Sequence, residues 1–133
     1  MSVTISSLLR DRIVARAAAD DREICGLLLG QAGRIEAIAP AANVAADPAR
    51  HFELDPAVLI AAHRAARSGG PKVIGHYHSH PSGVAIPSAT DAACAMPDGT
   101  LWLIVAGEAV RLWRAQPGQG GAVAFVEALL DIR

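Results

Sequence analysis

The chain has only two cysteines, Cys25 and Cys94, among 133 residues. Two thiols cannot build a disulfide framework, and they fit a reducing compartment better than a secreted one. No apolar run approaches the roughly 18 residues a membrane-spanning helix needs. The N-terminus lacks a charged stretch followed by a short apolar one, so no signal peptide is expected and the cytoplasm is the default compartment. There is no basic patch to attract nucleic acid and no acidic tail; net charge is −1. Internal repeats and interdomain linkers are also missing. At this length there is room for one core and not two, so a single domain over residues 1–133 is expected.

What is present concentrates in one segment. Gly75-His76-Tyr77-His78-Ser79-His80-Pro81 is followed by Pro87-Ser88-Ala89-Thr90-Asp91. His78 and His80 are one residue apart. In a strand, residues i and i+2 share a face about 6.5 Å apart, so both imidazoles can lean onto one ion. In a helix they would point to nearly opposite sides. Pro81 disfavours helix at His80, and Lys72-Val73-Ile74 leads in as strand. Asp91 supplies a third ligand if the chain doubles back through the loop Ser82–Pro87. Asp91 also has a plainer reading. Ser88 resembles a helix N-cap with Asp91 at N3, and Ser-x-x-Asp then closes a capping box. Three protein ligands with one open position is the layout of a catalytic zinc site, whereas structural sites are closed by four.

His78-Ser79-His80, seven residues, Ser88, two residues and Asp91 resembles the signature of the JAMM (MPN+) zinc metalloproteases. That signature also has an upstream glutamate, and Glu23-Ile24-Cys25-Gly26-Leu27-Leu28-Leu29-Gly30 resembles the family's glutamate strand. Asn43, Phe52 and Asp55-Pro56 also fall where family members carry such residues. The resemblance runs from about residue 5 to about 115. It implies zinc ligands at His78, His80 and Asp91, a general acid/base at Glu23 and an oxyanion stabiliser at Ser88. Zinc lowers the pKa of a bound water to roughly 7, and a positioned acid/base is worth about 10²–10⁴ in rate. The implied fold is α/β, the cytidine-deaminase-like MPN fold, a curved, mostly antiparallel sheet flanked by helices. Family substrates are ubiquitin-like proteins cut after a C-terminal Gly-Gly. A chain this short, without accessory domains, looks most like the compact bacterial members that act on ubiquitin-like sulfur carrier proteins. A peptide or an isopeptide bond would serve equally.

Other classes compete. A zinc deaminase uses H-x-E with a later P-C-x-x-C, a pair this chain does not carry. A non-catalytic MPN scaffold would typically lack the ligands that are present here. A small-molecule zinc hydrolase on the same fold would show a closed pocket instead of a groove able to hold an extended tail.

The rest of the chain alternates helix and strand. Val3–Ile5 reads as strand, and Ser6 or Ser7 caps a helix to about Ala19, with Leu9, Ile13 and Ala17 on one face. Ile24–Leu29 is a buried strand, Gly30–Gly33 a turn, Arg34–Ala39 a hairpin partner and Pro40–Ala49 a loop. Asp55-Pro56 starts a helix that stops at Ser68-Gly69-Gly70-Pro71. Leu101–Ala106 and Ala109–Arg114 form a second hairpin, Gln116–Gly121 is a flexible loop, and residues 122–132 are strand or helix.

His76 shares a face with His78 and His80, as a contact to the site or as a hydrogen-bonded structural residue. His63 lies with Leu59, Ala62 and Ala66 at helical spacing and reads as packed; His51 sits in a loop. Trp102 and Trp113 alternate with apolar residues and read as core. Cys25 is two residues from Glu23 and Cys94 three from Asp91, spacings that admit a second ligand set, although packing as small hydrophobes is the default reading.

Overall fold

The computed structural model describes residues 2–133. Its elements run β1 (Ser2–Ile5), α1 (Ser7–Ala18), β2 (Cys25–Gln31), β3 (Arg34–Ala41), α2 (Pro56–Arg67), β4 (Lys72–Ser79), α3 (Ala89–Cys94), β5 (Leu101–Ala106), β6 (Ala109–Pro117) and β7 (Val123–Ile132). The strand order is β1-β3-β2-β4-β5-β6-β7, and β7 returns to pair with β1, so the sheet closes into a barrel. Antiparallel pairing joins β2 to β3 and β4, and β6 to β5 and β7. The β4–β5 pair is parallel, and so are the pairs of β1 with β3 and β7. The expected α/β fold with a curved, mostly antiparallel sheet flanked by helices is the one that forms. Among the described residues no helix is long and apolar enough to cross a membrane.

The local signals act as their chemistry dictates. The Ser6 hydroxyl accepts from the Leu9 N–H and starts α1; Asp55 accepts from the Ala57 N–H ahead of Pro56 and starts α2. Leu9 and Ile13, one helical turn apart, turn α1 onto the sheet. They bury with Val3, Ile5, Leu28, Tyr77, Leu103, Val105 and Leu112. Strand alternation then divides β4. Tyr77 faces this core, so His76 and His78 face the other side. Gly26, paired with Tyr77, has to be glycine: any Cβ there would run into the Tyr77 ring.

Several expectations shift. β6 extends to Pro117, and residues 119–121 form a short 3₁₀ turn in place of part of the expected loop. Residues 123–132 settle as strand, since β7 closes the barrel against β1. The apolar stripe of α2 is not buried; Leu59 and Ile60 stay exposed, and so does His63, which was expected to be packed. Trp102 is buried as expected, whereas Trp113 is only half-buried.

Candidate active site

Strand register brings the site together. Cys25 on β2 pairs with His78 on β4. One residue further, the Ile24 N–H donates to the Ser79 hydroxyl (2.9 Å) and the Ser79 N–H donates to the Ile24 carbonyl (3.1 Å). The next step of that antiparallel register sets Glu23 opposite His80. Glu23 lies just outside β2, fixed by its own backbone. Its N–H donates to the Pro48 carbonyl (2.8 Å), and its carbonyl accepts from the Asn43 amide (2.8 Å). Asn43 also donates to the His51 carbonyl (2.8 Å) and accepts from the Ala45 and Glu53 N–H groups (3.1 and 3.0 Å). One side chain therefore ties the Glu23 segment to the loop over residues 43–53.

Three ligand-type atoms converge. His78 Nε2 lies 3.0 Å from His80 Nε2. Asp91 Oδ2 lies 3.3 Å from the first and 3.2 Å from the second. Tetrahedral zinc with bonds of about 2.0–2.1 Å sets its ligand atoms about 3.3 Å apart, so the three positions fit such an ion. The chemistry of the donors agrees. His80 Nδ1 lies 2.8 Å from the Val84 carbonyl, which only accepts, so Nδ1 carries the hydrogen. In neutral His80 the lone pair is then on Nε2, facing another imidazole nitrogen and a carboxylate oxygen. A cation relieves that crowding of acceptors. One oxygen of the Glu23 carboxylate lies within 4.8 Å of ring nitrogens of both histidines, so Glu23 could also serve as a ligand.

The electrostatics follow from burial and partners. Burial pushes Asp91 up, but hydrogen bonds from His78, His80 and the Ser88 N–H hold it far below the usual carboxylate range. Burial lowers His78, against the pull of Asp91. Burial also works against a charge on His80, yet Asp91, the Val84 carbonyl and Glu23 raise its pKa. Glu23 is desolvated and raised from 4.5 to about 7, with His80 pulling down and Asp91 pushing up. That value suits an acid/base at neutral pH.

Both readings of Asp91 hold at once. The capping box is formed: the Ser88 hydroxyl accepts from the Asp91 N–H (3.0 Å), and the Ser88 N–H donates to Asp91 Oδ2 (2.9 Å). The cap aims that same Oδ2 at the two imidazoles. It uses only an acceptor site on the Ser88 oxygen, so the hydroxyl hydrogen stays free to donate elsewhere.

The secondary candidates sort out differently. His76 packs edge-on against Trp102, with ring centroids 4.2 Å apart, and its Nδ1 is buried without a hydrogen-bond partner among the described residues. Burial drives its pKa down to about 3, so it is a neutral member of an aromatic cluster and not the hydrogen-bonded structural residue considered above. Cys25 is buried as expected. Cys94 is exposed at the end of α3, which corrects the expectation that it packs as a small hydrophobe. Neither thiol joins the histidine cluster among the described residues. His51-Phe52-Glu53 spells H-x-E, but His51 and Glu53 are exposed outside the cluster and no P-C-x-x-C follows.

Sequence reasoning missed three supporting roles. Phe52 stacks on His78 with ring centroids 4.2 Å apart. Val84 fixes His80 through its carbonyl, a contact no residue type encodes. Trp113 donates its indole N–H to the Ala85 carbonyl (3.1 Å) and so pins the same loop; its alternation among apolar residues pointed to core alone.

Two clefts flank the cluster. One, of about 250 Å³, is lined by Glu23, His80 and Ser88 and opens to the surface past exposed Arg50, Ser82 and Gly83. The other, of about 570 Å³, runs past Asp91 between Phe52, His76 and Trp102.

Known proteins resemble the chain over much of its length. The chain is 38% identical over 109 residues to a desampylase of Haloferax volcanii, covering 77% of this chain and 78% of that protein. It is 36% identical over 70 residues to a probable TtuB-protein conjugate cleaving protease of Thermus thermophilus, covering 53% of this chain and 47% of the relative, less than two thirds of the relative's length. A JAB1/MPN domain protein of Archaeoglobus fulgidus superposes with a TM-score of 0.63 over 99% of this chain and 98% of that one, at 23% identity, which bears on the fold alone. The profile of the prokaryotic homologs of the JAB domain matches residues 6–116. With that match spanning most of the chain and including Glu23, His78, His80, Ser88 and Asp91, the chain belongs to the prokaryotic JAB-domain family.

Proposed function

We propose that this chain is a zinc-dependent peptidase or isopeptidase that cuts the bond after the C-terminal Gly-Gly of a ubiquitin-like or sulfur carrier protein. The observation that carries the reading is the convergence of His78 Nε2, His80 Nε2 and Asp91 Oδ2 within 3.0–3.3 Å, with the Glu23 carboxylate beside them. Support for the substrate class comes from the relatives, one named a desampylase and one a conjugate cleaving protease.

In this reading His78, His80 and Asp91 hold the ion. When bound, zinc supplies ionisation of a water near neutral pH and polarisation of a carbonyl. The protein does the rest. Glu23 takes the proton of the attacking water and hands it to the leaving amine, the two tasks of a positioned general acid/base. Ser88 directs its hydroxyl hydrogen at the oxygen that gains charge as the carbonyl is attacked. The Val84 carbonyl keeps the His80 lone pair on Nε2. The small-molecule alternative fits less well, because the cleft beside Glu23 opens past exposed Arg50, Ser82 and Gly83 and leaves room for an extended tail. A non-catalytic scaffold has no use for a desolvated glutamate beside two imidazoles.

The test is direct. Incubate the zinc-loaded protein with ubiquitin-like carriers extended beyond Gly-Gly and follow mass. Cleavage should fall after the second glycine and stop with a chelator. Equal kcat/KM for an intact carrier and for a short peptide bearing only its tail would favour the small-molecule reading.

A further inference from the structure

The second cleft has no part in the chemistry above, yet it adjoins the site. Asp91 forms part of its wall. Its aromatic side is made by the rings that bury His78. Phe52 stacks on His78, and Trp102 stands edge-on to it with centroids 5.7 Å apart. His76 fills the corner between them, 5.5 Å from Phe52 and 4.2 Å from Trp102, centroid to centroid. At about 570 Å³ the space is of ligand-binding size. Glycine cannot use it, having no side chain.

We propose that this cleft is a specificity subsite for the side chain of the residue that leaves with the amine, and that it takes a large aliphatic or aromatic side chain. The inference rests on the carrier-cleaving reading and extends it. Under that reading the two residues before the scissile bond are both glycine. An extended Gly-Gly pair removes the preceding side chain by about 7 Å from the reacting carbon. A side chain that reaches a wall made by Asp91 therefore belongs to the residue after the bond. The charges narrow the class. With Asp91 given to the ion, Asp47 and Glu53 remain as charges lining the cleft, and among the described residues no arginine or lysine does. An acidic side chain is refused there, while the rings of Phe52 and Trp102 reward an apolar one.

The test uses one ubiquitin-like carrier ending in Gly-Gly, extended by X-Ser-Gly-Ser with X as Phe, Leu, Gly or Asp. Phe and Leu should exceed Gly in kcat/KM by about tenfold or more, the scale on which an apolar pocket discriminates. Asp should fall below Gly. Ala46, which lines the cleft and is exposed, is the place to fill it. In Ala46→Trp the Phe-to-Gly ratio should drop toward one, and Ala45→Leu supplies a second filling variant if the first melts early. Equal rates for every X, or an unchanged ratio in both variants, would overturn the subsite while leaving the carrier-cleaving reading intact. Failure to cleave any X with zinc bound would overturn both.

Discussion

His78 and His80 sit two residues apart on one face of the chain, but their surroundings differ. His78 is fully buried, stacked on Phe52 and edged by Trp102, and its Nδ1 finds no hydrogen-bond partner among the described residues. His80 is half-buried, stands just past the end of β4, and donates from Nδ1 to the carbonyl of Val84. The sheet and its aromatic neighbours orient the first ring by packing. A loop orients the second by one hydrogen bond. The difference teaches that one site can have two kinds of support, which fail in different ways.

The largest effects come from removing the rings themselves. His78→Ala and His80→Ala should each abolish stoichiometric zinc, read by mass spectrometry of the purified protein. Only His78→Ala should also cost fold stability, about 2 kcal/mol or more, because it opens a void under Phe52. If His80→Ala lowers the melting temperature as much as His78→Ala does, the contrast between packed and tethered ligands is wrong. Full zinc retained in the double variant would end the ligand assignment.

Next comes Glu23, whose carboxylate lies within 4.8 Å of ring nitrogens of both histidines and is coupled electrostatically to His80. Glu23→Gln should keep zinc but lose at least about 10² in turnover, since an amide cannot take up the proton. Near-native rates would remove Glu23 from the mechanism. The pH dependence has a definite sign. The folded pKa is raised from 4.5 to about 7, so between those values the folded chain binds more protons than the unfolded one. This contribution to the stability of the metal-free protein is therefore lost as pH rises through that window. The loss should be absent in Glu23→Gln, a difference that melting at pH 4.5 and pH 7 would reveal. Ser88→Ala should lower turnover by about 10²–10³ through the missing oxyanion donor and stability by about 1 kcal/mol through the missing cap.

How much of this could be read in the sequence follows the same division. The strand face shared by His78 and His80, the Ser88 cap and the Asp55-Pro56 helix start are local signals, and they survive folding unchanged. Glu23 is 55 residues from His78, so only the resemblance connected them; the β2–β4 register that joins them is a long-range fact. The resemblance marked Phe52 by position, but its role and those of Val84 and Trp113 were illegible for a related reason. Stacking between a loop and a strand, a backbone carbonyl used as an acceptor and an indole reaching into a loop depend on tertiary placement, and a pattern of residue types does not encode it. Closure of the barrel was hidden as well, because residues 122–132 suited strand or helix until β1 offered a pairing edge.

The smallest predicted effect probes the tether. The Trp113 N–H donates to the Ala85 carbonyl, next in the chain to the Val84 carbonyl that holds His80. Gly83 adds a third tie through its N–H to the His80 carbonyl at 3.3 Å. Trp113→Phe keeps an aromatic ring for Arg111, whose guanidinium stands 4.9 Å from the indole, but removes the one indole bond to the loop. Zinc affinity should fall by about tenfold, the low end of what outer partners of a ligand contribute, while the melting temperature of the metal-free protein changes little. The decisive reading is the His80 ring itself. In the metal-free wild-type protein, ¹⁵N–¹H correlation of the imidazole should show hydrogen on Nδ1. In Trp113→Phe a mixture of tautomers should appear at His80 and leave His78 unaltered, because packing against Phe52 does not pass through that loop. A His80 ring that keeps one tautomer, with zinc affinity unchanged, would show that Val84 needs no help from β6.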